Sequence, residues 1–393
     1  MKAFRPLWCQ GLSYRTFLLG TLFFLAACTG QKASTPATAS DTILIGEFGS
    51  LTGSEATFGQ STHNGIMLAV EEQNAGGGVK GKKIAVKTYD DQGKSQEAGT
   101  AVTRLITEDK VVAILGEVAS SLSIAGGEVA QRYGVPMISP SSTNPRVTTI
   151  GNMIFRVCFI DPFQGYVVAK FARENLKATK AAVLYDQAQA YSKGLNDDFK
   201  KWFVQLGGTL VSEQAYGGGD QDFNAQLTNI RDKKPDVIFI PGYYTDVGNI
   251  ALQARKLGIK QPFLGGDGWD SEQLPKIAGS AIDGSYYSNH YSHEDKRPEV
   301  QEFVGKYQKK FQQVPDGLAA MGYDAARLLF DAMNRAPTLG SKDLAAAIAA
   351  TQKFPGVTGT ITMDENRNAK KPAVVLKIEK GQPRFAATIE PAS

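Results

Sequence analysis

Four groups of residues carry the donors, acceptors and charge from which a binding site can be built. Ser120 and Ser121 follow the apolar run VVAILGEVA, and Ser141, Ser142 and Thr143 follow VPMISP. Tyr243 and Tyr244 follow DVIFIPG, and Asp267 follows PFLGG. Each group stands where a short apolar run, read as a buried strand, comes to its end. In an open α/β sheet, ligands bind beyond the carboxyl ends of the strands. Ser120 opens a helix, where backbone N–H groups and the helix dipole favour an anion, although a serine there also reads as an ordinary N-cap. Thr143 both donates and accepts, and Tyr243 adds a phenol hydroxyl on an apolar ring. Asp267 supplies one full negative charge beside Trp269, in a GDG stretch that turns also favour. Neutral donors opposite a single carboxylate match a zwitterion, with a carboxylate at one end and an ammonium at the other.

Catalytic constellations are missing. The chain has no G-x-S-x-G elbow and no phosphate loop. His290 and His293 form HYSH, a spacing that raises the question of metal. No cysteine or dense carboxylates accompany them, so a hinge or surface role is expected and no metal or cofactor is assigned. Arg146, in TNPR, reads as a solvated loop arginine.

A chain of 393 residues exceeds one ordinary core and suits two domains. A composition of 42% hydrophobic and 21% charged residues is that of a folded globular protein. Lys2, Arg5 and Arg15 carry much of the net charge of +4; without them 43 basic residues become 40, against 39 acidic ones. That near-neutral balance gives no footprint for a nucleic-acid partner. The three basic residues precede TFLLGTLFFLAAC, which reads as a secretory signal over residues 1–27. Its ending, LAAC, resembles the bacterial lipoprotein box, which implies cleavage before Cys28 and lipidation of its sulfur. Residues 28–41 then read as a flexible tether. With Cys9 in the signal and Cys28 as anchor, Cys158 is the one thiol left, a small buried apolar residue with no disulfide partner.

From residue 42 onward, short apolar strands alternate with amphipathic helices. TILIGEFG, KKIAVKTYDD, VVAILGE and VPMISP read as strands, with helices between them. After a pause at FRVCFIDPFQG the pattern restarts with KAAVLYDQ, TLVSEQAY, DVIFIPGY and QPFLGGDGW. Such alternation predicts an α/β protein of two doubly wound, parallel-sheet lobes. Helices dominate from PEVQEFVGKYQKKFQ to LAAAIAATQ, and GTITMDENRNAKKPAVVLKIEKG reads as a terminal β-hairpin.

Taken together, these blocks resemble the leucine/isoleucine/valine-binding proteins of ABC uptake systems. ILIGEFGSLTGSEATFGQSTHNGIMLAVEEQNAGGGVKGKKIAVKTYDDQ is similar to the family opening. LGEVASS, VPMISPSSTNP, AAVLYDQAQAYSKG, PDVIFIPGYYTDVGNIALQARKLG and FLGGDGW match later blocks in order. The resemblance implies a type I periplasmic binding protein with a three-stranded hinge, crossed near 158, 287 and 360. Lobe 1 would then comprise 42–157 and 288–359, and lobe 2 would comprise 158–287 and 360–393. It also implies that Ser120 and Thr143 hold the ligand's carboxylate and ammonium groups, and that Ser141 contributes mainly backbone. Tyr243 would reach across the cleft, Asp267 would pair with the ammonium, and Phe58, Tyr191 and Leu318 would line the side-chain pocket. Asp267 stands where many relatives carry a longer glutamate. The implied protein is a monomer, lipid-anchored in the cell envelope, that presents a small amino acid to a membrane permease and ATPase. A sensor, or a receptor for an amide or aromatic acid, is the alternative on the same fold.

Overall fold

The computed structural model describes residues 42–391. The expected signal (1–27) and tether (28–41), with Cys28, lie outside them. Among the described residues, no helix is long and apolar enough to cross a membrane.

The first lobe is laid down as β1 (Thr42–Gly49), α1 (Ala56–Ala75), β2 (Lys83–Asp90), α2 (Ser95–Thr107), β3 (Ile114–Leu115), α3 (Ser120–Tyr133), β4 (Met137–Ser139), α4 (Arg146–Thr149) and β5 (Ile154–Arg156). The strands form one parallel sheet in the order β2-β1-β3-β4-β5. The reversal on either side of β1 is a topological switch point, where a crevice opens at the carboxyl ends of the strands. Buried Ile43, Ile45, Ile114 and Ile138 explain the strand pattern: apolar β-branched side chains fill a sheet covered on both faces.

The second lobe continues with α5 (Asp161–Glu174), β6 (Lys180–Asp186), α6 (Ala190–Gln205), β7 (Thr209–Tyr216), α7 (Asn224–Asp232), β8 (Val237–Phe239), α8 (Tyr244–Lys256), β9 (Phe263–Gly265), α9 (Gln273–Ala278) and β10 (Tyr286–Asn289). The chain then supplies α10 (Pro298–Phe311), α11 (Gly317–Arg335), α12 (Ser341–Ala349), β11 (Phe354–Gly356), β12 (Gly359–Met363), β13 (Ala369–Lys370), β14 (Ala373–Glu379) and β15 (Gln382–Ile389). The second sheet has seven strands, ordered β15-β14-β10-β9-β8-β6-β7.

Helix α11 returns to lobe 1 and packs backbone to backbone against α1. A Cβ on Gly65 would sit 2.0 Å from the Ala319 carbonyl oxygen, and one on Gly322 would sit 2.5 Å from that of Thr62. Only glycine permits that approach, so two glycines far apart in sequence fix which helix covers lobe 1. Gly76 to Gly81 have dinucleotide-fingerprint spacing, G-x-G-x-x-G. They leave helix α1 and enter strand β2, the reverse of the strand–loop–helix order such a site needs.

Two expectations are corrected. The stretch from 359 to 381 is not one hairpin: β12 pairs with β13 in a three-stranded sheet, whereas β14 pairs with β10 and β15. The hairpin partner of β14 is β15, through a two-residue turn in which Lys380 and Gly381 have φ of 51° and 72°, positive values that match a primed turn. The third passage accordingly falls at Lys371–Pro372 rather than near 360. Residues 367 and 368 are held by lobe 1: Arg156 N donates to the Arg367 carbonyl at 3.2 Å, and the Arg367 guanidinium donates to the Thr148 carbonyl at 2.8 Å.

Candidate functional site

The serine-rich loop after β4 divides its hydroxyls by alternation. Ser142 turns inward and donates to the Val118 carbonyl at 2.8 Å and the Glu117 carbonyl at 3.0 Å. Ser141 Oγ and Thr143 Oγ1, on either side, are buried and lack any hydrogen-bond partner. Arg156, fully buried, clamps the loop by donating to the Ser142 carbonyl at 2.5 Å and the Asn144 carbonyl at 2.8 Å. Ser120 is the first residue of α3, but Ala119 occupies the cap position and makes no side-chain cap. The Ser120 hydroxyl instead accepts from Asn144 N at 3.2 Å, joining the helix start to the loop.

Lobe 2 supplies the facing wall. Tyr243 lies between Phe58, edge-on at 5.3 Å, and Tyr191, stacked at 5.3 Å. Its hydroxyl is buried without a partner. Burial, helped by the charges of Glu117 and Glu55, pushes the phenol well above its usual range, so it stays a donor. Asp267 is 5% exposed. Its Oδ1 accepts from Gln164 Nε2 at 2.8 Å and from the Tyr191 hydroxyl at 2.9 Å. Its Oδ2 lies 2.9 Å from His290 Nε2. Two donors thus meet one oxygen and an imidazole nitrogen meets the other.

Phe58, Val118, Ser141, Tyr191, Tyr243, Asp267, Gly268 and Leu318 enclose a cavity of about 10 Å³. Six of the residues expected from sequence thus meet around one space; Ser120 and Thr143 are buried but do not line it. That space holds about one water and is too small for an amino acid. Cross-lobe bonds hold the walls together: Thr57 and Ser271 hydroxyls meet at 2.9 Å, and Ala190 N donates to Ser121 Oγ at 3.0 Å.

Sequence reasoning missed Gln164, His290 and Asp161. His290 was visible in HYSH, but its ring is buried against Phe159 at 4.0 Å while His293 sits half-buried on a loop. Among the described residues, no group of three or more metal-ligating side chains occurs. Asp161 is fully buried with both oxygens unpartnered, and burial pushes its carboxyl well above the usual range. The Thr143 hydroxyl opposes that rise but falls short of hydrogen-bond geometry. Arg146 is exposed. Cys158 is buried against the Ser142 carbonyl, and burial pushes its thiol up to about 12.

Two α/β lobes, one with a parallel sheet and one with a mixed sheet, meet over buried unpartnered hydroxyls and a carboxylate, an arrangement suited to holding a solute. The chain belongs to the periplasmic binding protein family, whose model matches residues 42–383. It is a substrate-binding protein of ABC transport in the branched-chain amino acid group, not an enzyme. A Leu/Ile/Val-binding protein homolog 2 from Brucella abortus is 30% identical over 363 residues, covering 91% of this chain and 96% of that protein. The leucine-binding protein of Thermotoga maritima superposes with a TM-score of 0.86 at 39% identity, covering 89% of this chain and 99% of its own. The branched-chain amino acid transporter substrate-binding protein of Streptococcus pneumoniae, solved with isoleucine, gives a TM-score of 0.85 at 33% identity, covering 89% and 100%.

Proposed function

We propose that the protein binds a small neutral amino acid, branched-chain ones foremost, between its lobes and presents the closed form to a membrane permease and ATPase. One observation carries this reading: the unpartnered hydroxyls of Ser141 and Tyr243 share a small cavity with Asp267 and apolar side chains. Thr143 and Ser120 suit the ligand's carboxylate and ammonium groups, Asp267 the ammonium, and Phe58, Tyr191 and Leu318 the side chain. An aromatic acid would leave the Asp267 charge without an answering cation, which disfavours that alternative. A thermal-shift screen against the common amino acids tests the reading, because a ligand that binds only the folded form raises the melting temperature. Selective shifts by leucine, isoleucine or valine are expected; shifts by benzoates alone would reject it.

The protein would work as a monomer held at the membrane by lipid on Cys28. A Cys28→Ser variant should move to the soluble extract, and its retention on salt-washed membranes would exclude that anchor.

A further inference from the structure

The site leaves one buried imidazole without a task. His290 directly follows β10, where the chain leaves the second sheet toward α10. Its side chain is fully buried, with Nε2 2.9 Å from Asp267 Oδ2. The ring stacks on Phe159, which lies in the first passage between lobes, with centroids 4.0 Å apart. Lys371, in the third passage, is near enough to disfavour a proton on His290. Segments from all three passages therefore converge behind Asp267.

A buried polar atom without a partner in a native structure calls for a reason. Here Nδ1 is buried without a partner. Burial, seconded by Lys371 and opposed by the Asp267 contact, holds the ring below its usual range and neutral. The single N–H then sits on Nε2, where it meets the carboxylate. Gln164 of α5 and Tyr191 of α6 grip the other oxygen. Asp267 has a short stem, so its aim depends on these three donors, and His290 is the one rooted in the hinge.

Building on the reading of Asp267 as the ammonium partner, we propose that His290 is a positioning residue that sets the preference for ligands bearing an ammonium group, by fixing the Asp267 carboxylate from the hinge. Without it, Oδ2 loses its only donor and the carboxylate can turn from the cleft. A ligand with no ammonium gains nothing from that aim and should be indifferent to the loss.

Calorimetry on His290→Leu, His290→Gln and Asp267→Asn tests this, with L-leucine and 4-methylpentanoate, the same acid with hydrogen in place of the amino group, as probes. The Leu variant should bind L-leucine at least about tenfold more weakly while 4-methylpentanoate shifts by less than about threefold. Gln, which restores a donor, should recover most of the L-leucine affinity. Equal losses for both probes, or no loss for L-leucine, overturn the positioning role alone. An Asp267→Asn variant that binds L-leucine like the unaltered protein overturns the underlying reading, and the proposal with it. Nitrogen-15 spectroscopy of the unaltered protein checks the tautomer without any variant: the proton must reside on Nε2, and a ring protonated on Nδ1 alone overturns the proposal.

Discussion

The rings of Phe58 and Tyr243 meet edge to face at 5.3 Å, although Phe58 stands on α1 of lobe 1 and Tyr243 follows β8 of lobe 2. Both rings line a cavity too small for an amino acid, so the proposed function requires the lobes to separate for a ligand to enter. Solution scattering should show a smaller radius of gyration when L-leucine is added to the ligand-free protein. An unchanged radius with bound ligand verified by calorimetry would remove the closing motion.

Asp267→Asn keeps the size and the turn preference of the side chain but removes its charge. Breaking a buried ion pair costs about 3–5 kcal/mol, or roughly two to four decades in dissociation constant. Melting without ligand should fall by an amount worth about 1–3 kcal/mol, because the amide nitrogen meets a buried donor that the carboxylate satisfied, and amino-acid affinity should fall at least about a hundredfold. Binding within about threefold of the unaltered protein would mean that no ammonium rests on Asp267.

Ser141 and Ser142 should respond oppositely to alanine. Ser142 satisfies buried carbonyls, so its loss should lower stability by about 1–3 kcal/mol in denaturant titration. Ser141 Oγ bonds nothing in the protein, so its loss should leave stability within about 0.5 kcal/mol. Ligand affinity should not improve on that substitution; a Ser141→Ala variant as destabilised as Ser142→Ala would contradict the division of labour.

Glu55 of lobe 1 faces Asp186 and Asp246 of lobe 2, and burial plus this repulsion pushes the Asp246 carboxyl up to about 7. A folded value raised above the unfolded 3.8 means that the folded state binds the extra proton. The contribution to stability is therefore full below the unfolded value and is lost as pH rises through about 7. The melting temperature should fall between mildly acidic and mildly alkaline buffer, and Asp246→Asn should flatten the trend. A slope unaffected by the substitution would assign the dependence elsewhere.

Much of this protein is local and therefore legible in its chain. Short continuous apolar runs place strands such as Thr42–Gly49, which are buried on both faces, and a 3.6-residue period places helices such as Ser95–Thr107, which bury one. Strand ends then nominate Ser120, Ser141, Thr143, Tyr243 and Asp267, since open sheets concentrate ligands there. Partner choice is not local. Nothing between 359 and 381 says that β12 pairs with β13 while β14 crosses to β10, because strand pairing depends on which edge lies near after the lobes have formed. Nor does the composition of HYSH say that one histidine is buried beneath Asp267 while the other stays on a loop. Residues 267 and 290 became neighbours only when β9 and β10 paired in parallel, and that pairing, not either residue's chemistry, made a carboxylate and an imidazole one unit.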